Sequence, residues 1–150
     1  MGIIEHQKID RVNEITTIDI MARTIWGEAR GEALSGKNAI ASVILNRYKI
    51  SQGYKNYWWG STIAEICQAP YQFSCWNEND VNYEKLMAVD VNDKCFGECK
   101  RIASRAVRGL LPDVVSGAEH YHASSVQPRW AEDCIIVEHI GSHLFYKLLG

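Results

Sequence analysis

Trp26-Gly27-Glu28-Ala29-Arg30-Gly31-Glu32 places two carboxylates one helical turn apart, where an apolar helix runs into glycine. The residues before it repeat apolar side chains at Ile18, Met21 and Ile25, the three- and four-residue spacing of one helix face. Glu28 continues that face, so the helix aims a carboxyl towards packed apolar surface. Burial disfavours the charged form of a carboxyl and raises its pKa, which suits a group that must hold a proton near neutrality and then donate it. A general acid at Glu28 is therefore one expectation. The plainer one is a solvated last turn in which Glu28 and Glu32 frame Arg30, because carboxylates near helix ends are mostly exposed.

Outward from this stretch the chain offers further pieces in a fixed order. Gly36 and Ala39-Ile40-Ala41-Ser42-Val43-Ile44-Leu45-Asn46-Arg47 follow closely. Gln68-Ala69-Pro70 comes next, then Gln72-Phe73-Ser74-Cys75-Trp76, Gly117-Ala118 with Tyr121, and Ile140-Gly141 with His143 and Phe145. Together with Ala22 to Glu32, this order resembles the SleB-type cell wall hydrolases, the spore-cortex-lytic enzymes and their bacteriophage relatives, from about Ile20 to Phe145. The resemblance implies a peptidoglycan-cleaving domain similar to goose-type lysozyme and lytic transglycosylase folds, with the first glutamate of the motif, here Glu28, as the acid. It also makes Phe73 and Ser74 candidate substrate contacts on a cleft wall. Tyr121 is a candidate to bond the sugar or the acid, and Asn46 could present its amide to a sugar.

Length and composition agree with one catalytic module. With 150 residues, 47% hydrophobic and 23% charged, the chain can bury one real core and is too short for two. A net charge of −2 and a pI near 6.2 give no basic stripe, so nucleic acid is not expected as a partner. No stretch is apolar enough for membrane insertion. The first fifteen residues carry Glu5, Lys8, Asp10, Arg11 and Glu14, unlike a signal peptide. These features suggest a protein made in the cytoplasm that reaches the wall after release, as a phage endolysin does, and a monomer whose partner is the bacterial glycan strand.

No cofactor is expected. The five cysteines, Cys67, Cys75, Cys95, Cys99 and Cys134, are an odd number and read as reduced, partly buried side chains. Cys95 and Cys99 with His120 and His122 could make a zinc site, although the histidine spacing fits no common zinc pattern. That set keeps a metal-dependent peptidoglycan amidase or peptidase as an alternative. A wall-binding module without catalysis is a second.

The expected architecture is α+β, mainly helical, with a small antiparallel sheet near the C-terminus. Residues 1–15 read as a lead-in segment, with the catalytic domain over 16–150 and Thr16 or Thr17 capping the first helix. Ser35 signals a second helix ending near Tyr48, and Ser61 a short one stopped by Pro70. Tyr71 to Trp76 alternates like an extended strand. Tyr83–Val89 and Lys94–Arg108 look helical, and 118–123, 135–140 and 142–146 have the β-branched and aromatic content of strands. Tyr54, Tyr57, Trp58 and Trp59 form either local core under a loop or platforms for the apolar faces of sugar rings. Both possibilities stay open from sequence.

For the second catalytic partner, Glu32 is the possible carboxylate. Paired carboxyls stand about 5 Å apart in retaining glycosidases and about 6.5 to 9.5 Å apart in inverting ones. Two residues one turn apart project similarly and flank a bond poorly. The alternative uses Glu28 alone, with the 6-hydroxyl of muramic acid as nucleophile, and gives an anhydro sugar.

Overall fold

A computed structural model describes residues 3–149, with side chains from Asn13 on. Helix α1 runs Ile3–Ala29 and α2 runs Leu34–Gln52; they are followed by α3 (Ile63–Gln68), α4 (Tyr83–Ala88) and α5 (Lys94–Val107). Strands β1 (His120–Ala123), β2 (Ile136–Ile140) and β3 (His143–Tyr146) close the chain as an antiparallel sheet in the order β1-β3-β2.

Helix α1 is the axis of the domain. Met21, Ala22, Ile25 and Ala29 on its inner face are buried against Ala39, Ile40, Val43 and Ile44 of α2 and against Phe96, Cys99, Ile102, Ala103 and Ala106 of α5. Small residues at Ala22, Ala29, Ala39 and Ala103 let the backbones approach, and the larger side chains fill the space between them. Arg23 then ties α4 to α1: its guanidinium donates to the carbonyls of Leu86 at 2.6 Å and Val89 at 3.0 Å, a cation satisfying the orphan end of a short helix.

Several local expectations are corrected. The lead-in is, from Ile3 on, the first part of α1, so Thr16 and Thr17 lie inside the helix rather than capping it. Neither glycine nor proline interrupts the stretch from Ile3 to Trp26, and nothing local stops the helix there. Helix α2 starts one residue before Ser35, with extended Ala33 at its cap, and continues past Tyr48 to Gln52. The cap of α3 is Thr62, whose side chain accepts from Glu65 N while the Glu65 carboxylate accepts from Thr62 N. The segment expected as an extended strand over 71–76 is a turn. Tyr71 has a φ of 64° and Ser74–Trp76 forms a single 3-10 turn. Long-range contacts impose that shape, since Trp76 Nε1 donates to Thr24 Oγ1 at 3.0 Å.

Candidate active site

Glu28 stands on the last turn of α1, half-buried at the side of a small recess shared with Trp26, Ser74, Cys75, Asp80 and Asn82. The recess can exist because position 27 is glycine. A Cβ there would lie 2.6 Å from Cys75 Cβ and 2.8 Å from its Sγ, so only glycine lets the 74–76 turn close over the helix.

From the other side β1 delivers Tyr121, whose hydroxyl donates to Glu28 Oε1 at 2.5 Å. Burial raises the Glu28 pKa above its ordinary 4.5, against the downward pull of the hydrogen bonds from Tyr121 and Cys75 and of nearby His143. Burial first, then the charge of Glu28, pushes the Tyr121 hydroxyl well above 10, so it remains a donor. The Cys75 thiol is pushed up by the same two causes and stays protonated. Tyr121 on Oε1 and the hydrogen bonds from Cys75 hold the carboxyl in place from both sides of the recess. Chemically, this is a carboxyl equipped to act as an acid.

Glu32 does not share the recess. Its Oε1 accepts from Ser142 N at 2.7 Å and lies 3.3 Å from His143 Nδ1, and it rests where a Cβ on Gly141 would sit. Gly141 has a φ of 57°, so the β2–β3 turn and the carboxylate fit each other. The backbone hydrogen bond from Ser142 is the main reason the Glu32 pKa is held below 4.5. Glu32 therefore pins the sheet to the end of α1.

Of the expected sugar contacts, only Ser74 is exposed beside Glu28. Phe73 is 2% exposed, with the Arg47 guanidinium 5.0 Å from its ring centroid, so it is core rather than cleft wall. Asn46 is also buried; its amide donates to Ala118 O at 2.9 Å and reaches Asp113 Oδ1 at 3.4 Å, which leaves it no sugar to meet. Tyr121 touches Glu28. The carboxylate that sequence reasoning missed is Asp80, which lines the Glu28 recess while its Oδ1 accepts from Asn82 N at 2.9 Å. The Asp-x-Asn turn was the only local sign of it.

The cysteine and histidine set does not assemble into a metal centre. Cys95 Sγ faces Arg30 O, His120 Nδ1 lies 3.2 Å from Glu119 Oε1, and His122 Nε2 lies 2.8 Å from the Tyr146 hydroxyl. Among the described residues, no three His, Cys, Asp or Glu side chains converge on a point where a metal could sit. The cysteines are all free thiols.

Fold and recess define the class of protein. This is a mainly helical α+β domain with a small antiparallel sheet, and two solved structures share its fold. The catalytic domain of the Bacillus cereus SleB protein is 26% identical with a TM-score of 0.64, covering 87% of this chain and 89% of that one. The catalytic domain of the germination-specific lytic transglycosylase SleB from Bacillus anthracis is 24% identical with a TM-score of 0.66, covering 87% and 93%. Among curated proteins, none matches this chain. The Cell Wall Hydrolase family matches residues 31–146, and the chain belongs to that family. The matched span begins just after Glu28, so membership rests on α2 and everything that follows it.

Proposed function

We propose that this enzyme cleaves the glycan strand of peptidoglycan between N-acetylmuramic acid and N-acetylglucosamine, with Glu28 as the general acid and an anhydro sugar as product. The observation that carries the proposal is a half-buried carboxyl with a raised pKa, held by Tyr121 at the side of a recess. In the first step Glu28 gives its proton to the glycosidic oxygen as the bond to the anomeric carbon breaks, leaving an oxocarbenium-like centre. The muramic 6-hydroxyl then bonds that carbon and returns its proton to Glu28. No water is consumed, and the acid is regenerated. The resemblance to phage relatives extends the proposal to an endolysin role.

Asp80 favours a second reading, because it is a carboxylate in the same recess. If it activates water or attacks the sugar, the products are ordinary reducing ends, one water heavier than anhydro products.

Purified walls digested by the enzyme and weighed by mass spectrometry separate the two. Anhydro products, a folded but inactive Glu28→Gln protein and an active Asp80→Asn protein are expected. Hydrolytic products with a dead Asp80→Asn would replace the single-acid route by the two-carboxylate one. Lysis near wild type in Glu28→Gln would remove Glu28 from the chemistry altogether.

A further inference from the structure

Away from Glu28 the surface holds a larger cavity, about 500 Å³, between the 56–61 loop and the 68–70 turn. Volumes of about 300 to 1,000 Å³ are typical of small-molecule sites, which combine aromatic walls with a few polar groups. This one has both. Trp58, 64% exposed, stands at its wall, while Asn56 and Gln68 supply amides. Trp58 is backed by Trp59, with ring centroids 5.1 Å apart, and Trp59 is fully buried and anchored by its Nε1 donating to Arg47 O at 3.2 Å. An exposed ring held against a fixed one loses little freedom when a ligand covers it.

We propose that this cavity is a carbohydrate-binding subsite, taking neutral N-acetylhexosamine units of a glycan strand with one pyranose face on Trp58 and the acetamido and hydroxyl groups on Asn56 and Gln68. The choice of occupant follows from the lining. A flat indole beside neutral amides matches a ring that is apolar on its faces and hydroxylated at its edge. Among the described residues that line it, Glu65 alone is charged, which disfavours anionic wall polymers. A peptide would look for an open strand edge or a helix groove, and the cavity walls here are loops and the short helix α3. The short loop from Pro70 to Ser74 joins the cavity to the Glu28 recess, and buried Arg47 braces both, 5.4 Å from the Trp59 ring centroid and 5.0 Å from that of Phe73. The subsite would thus hold a strand while a more distant linkage reaches the acid. Its assignment to a glycan rests on the proposed function.

Soluble N-acetylglucosamine oligomers are the probe, titrated against the full chain and followed by calorimetry. Binding is expected in both the wild type and the Glu28→Gln protein. Trp58→Ala should lower affinity about tenfold, Trp58→Phe less, and Leu110→Ala, an exposed apolar change elsewhere, not at all. Equal affinity in folded Trp58→Ala, absence of oligomer binding, or displacement of the oligomer by free stem peptide would each overturn the subsite. Residual lysis by Glu28→Gln would instead strike the catalytic proposal and leave this titration intact.

Discussion

Tyr121 and Glu28 meet across 93 residues of sequence through one short hydrogen bond, and that bond acts on the acid in a definite direction. A donor to the carboxylate favours its charged form, so Tyr121 lowers the Glu28 pKa while burial, the larger effect, raises it. An acid is useful only while protonated, so activity should fall as pH rises through the Glu28 pKa. Tyr121→Phe removes the donor and keeps the ring. The falling limb of its pH–rate profile should therefore move to higher pH, and a limb that stays in place or moves down would separate Tyr121 from the titration of the acid. A linked effect reaches stability. A raised carboxyl pKa means that the folded state loses stability as pH rises from the unfolded value through the folded one. Glu28→Gln escapes that loss, so at neutral pH it should unfold no more easily than the wild type, with any gain vanishing below the ordinary carboxylate range.

Glu32 acts between elements. It links the end of α1 to the β2–β3 turn through Ser142 and His143, and Tyr121 lies in that same sheet with its ring 5.1 Å from that of His143. Glu32→Gln keeps an acceptor for Ser142 N but loses the charge. A hydrogen bond to a charged group is worth about 1 kcal/mol more than a neutral one, so a small drop in melting temperature is expected at neutral pH. The sign of its pH dependence is set by a lowered pKa: the charged form contributes above the unfolded value, and the contribution is lost as pH falls through the folded one. Melting curves of wild type and Glu32→Gln should converge in acid. A Glu32→Gln protein that melts like the wild type at neutral pH but has lost all activity would return Glu32 to the chemistry.

Across the whole molecule, Glu119 fastens the C-terminal segment to the sheet. Fully buried, it accepts from the backbone of Leu148 and Leu149 and lies beside His120. Burial pushes its pKa up, but the hydrogen bonds from His120, Leu148 and Leu149 prevail and hold it below 4.5. Removing residues 147–150 leaves that buried carboxylate with His120 but without its two backbone donors, and each lost donor to a buried charge costs about 1 to 3 kcal/mol. The shortened chain should melt well below the full one, and Glu119→Leu should recover part of the loss, because no charge is left to satisfy. A shortened chain with unchanged melting would show that the latch contributes nothing. Sequence alone determined the helical periods of α2 and α5 from the spacing of apolar side chains and the three C-terminal strands from their β-branched and aromatic content, and it offered the inward aim of Glu28 as one of two expectations. The helical start of α1 escaped it, since a continuous helix carries no local signal at its middle. Only the tertiary structure decided what Glu28 meets. Tyr121 and Asp80 come from distant segments, Glu32 is drawn away by a turn 110 residues later, and Asn46 and Phe73 are consumed by the core. Spacing reports which side of a helix is apolar; which partner covers that side depends on how the elements pack.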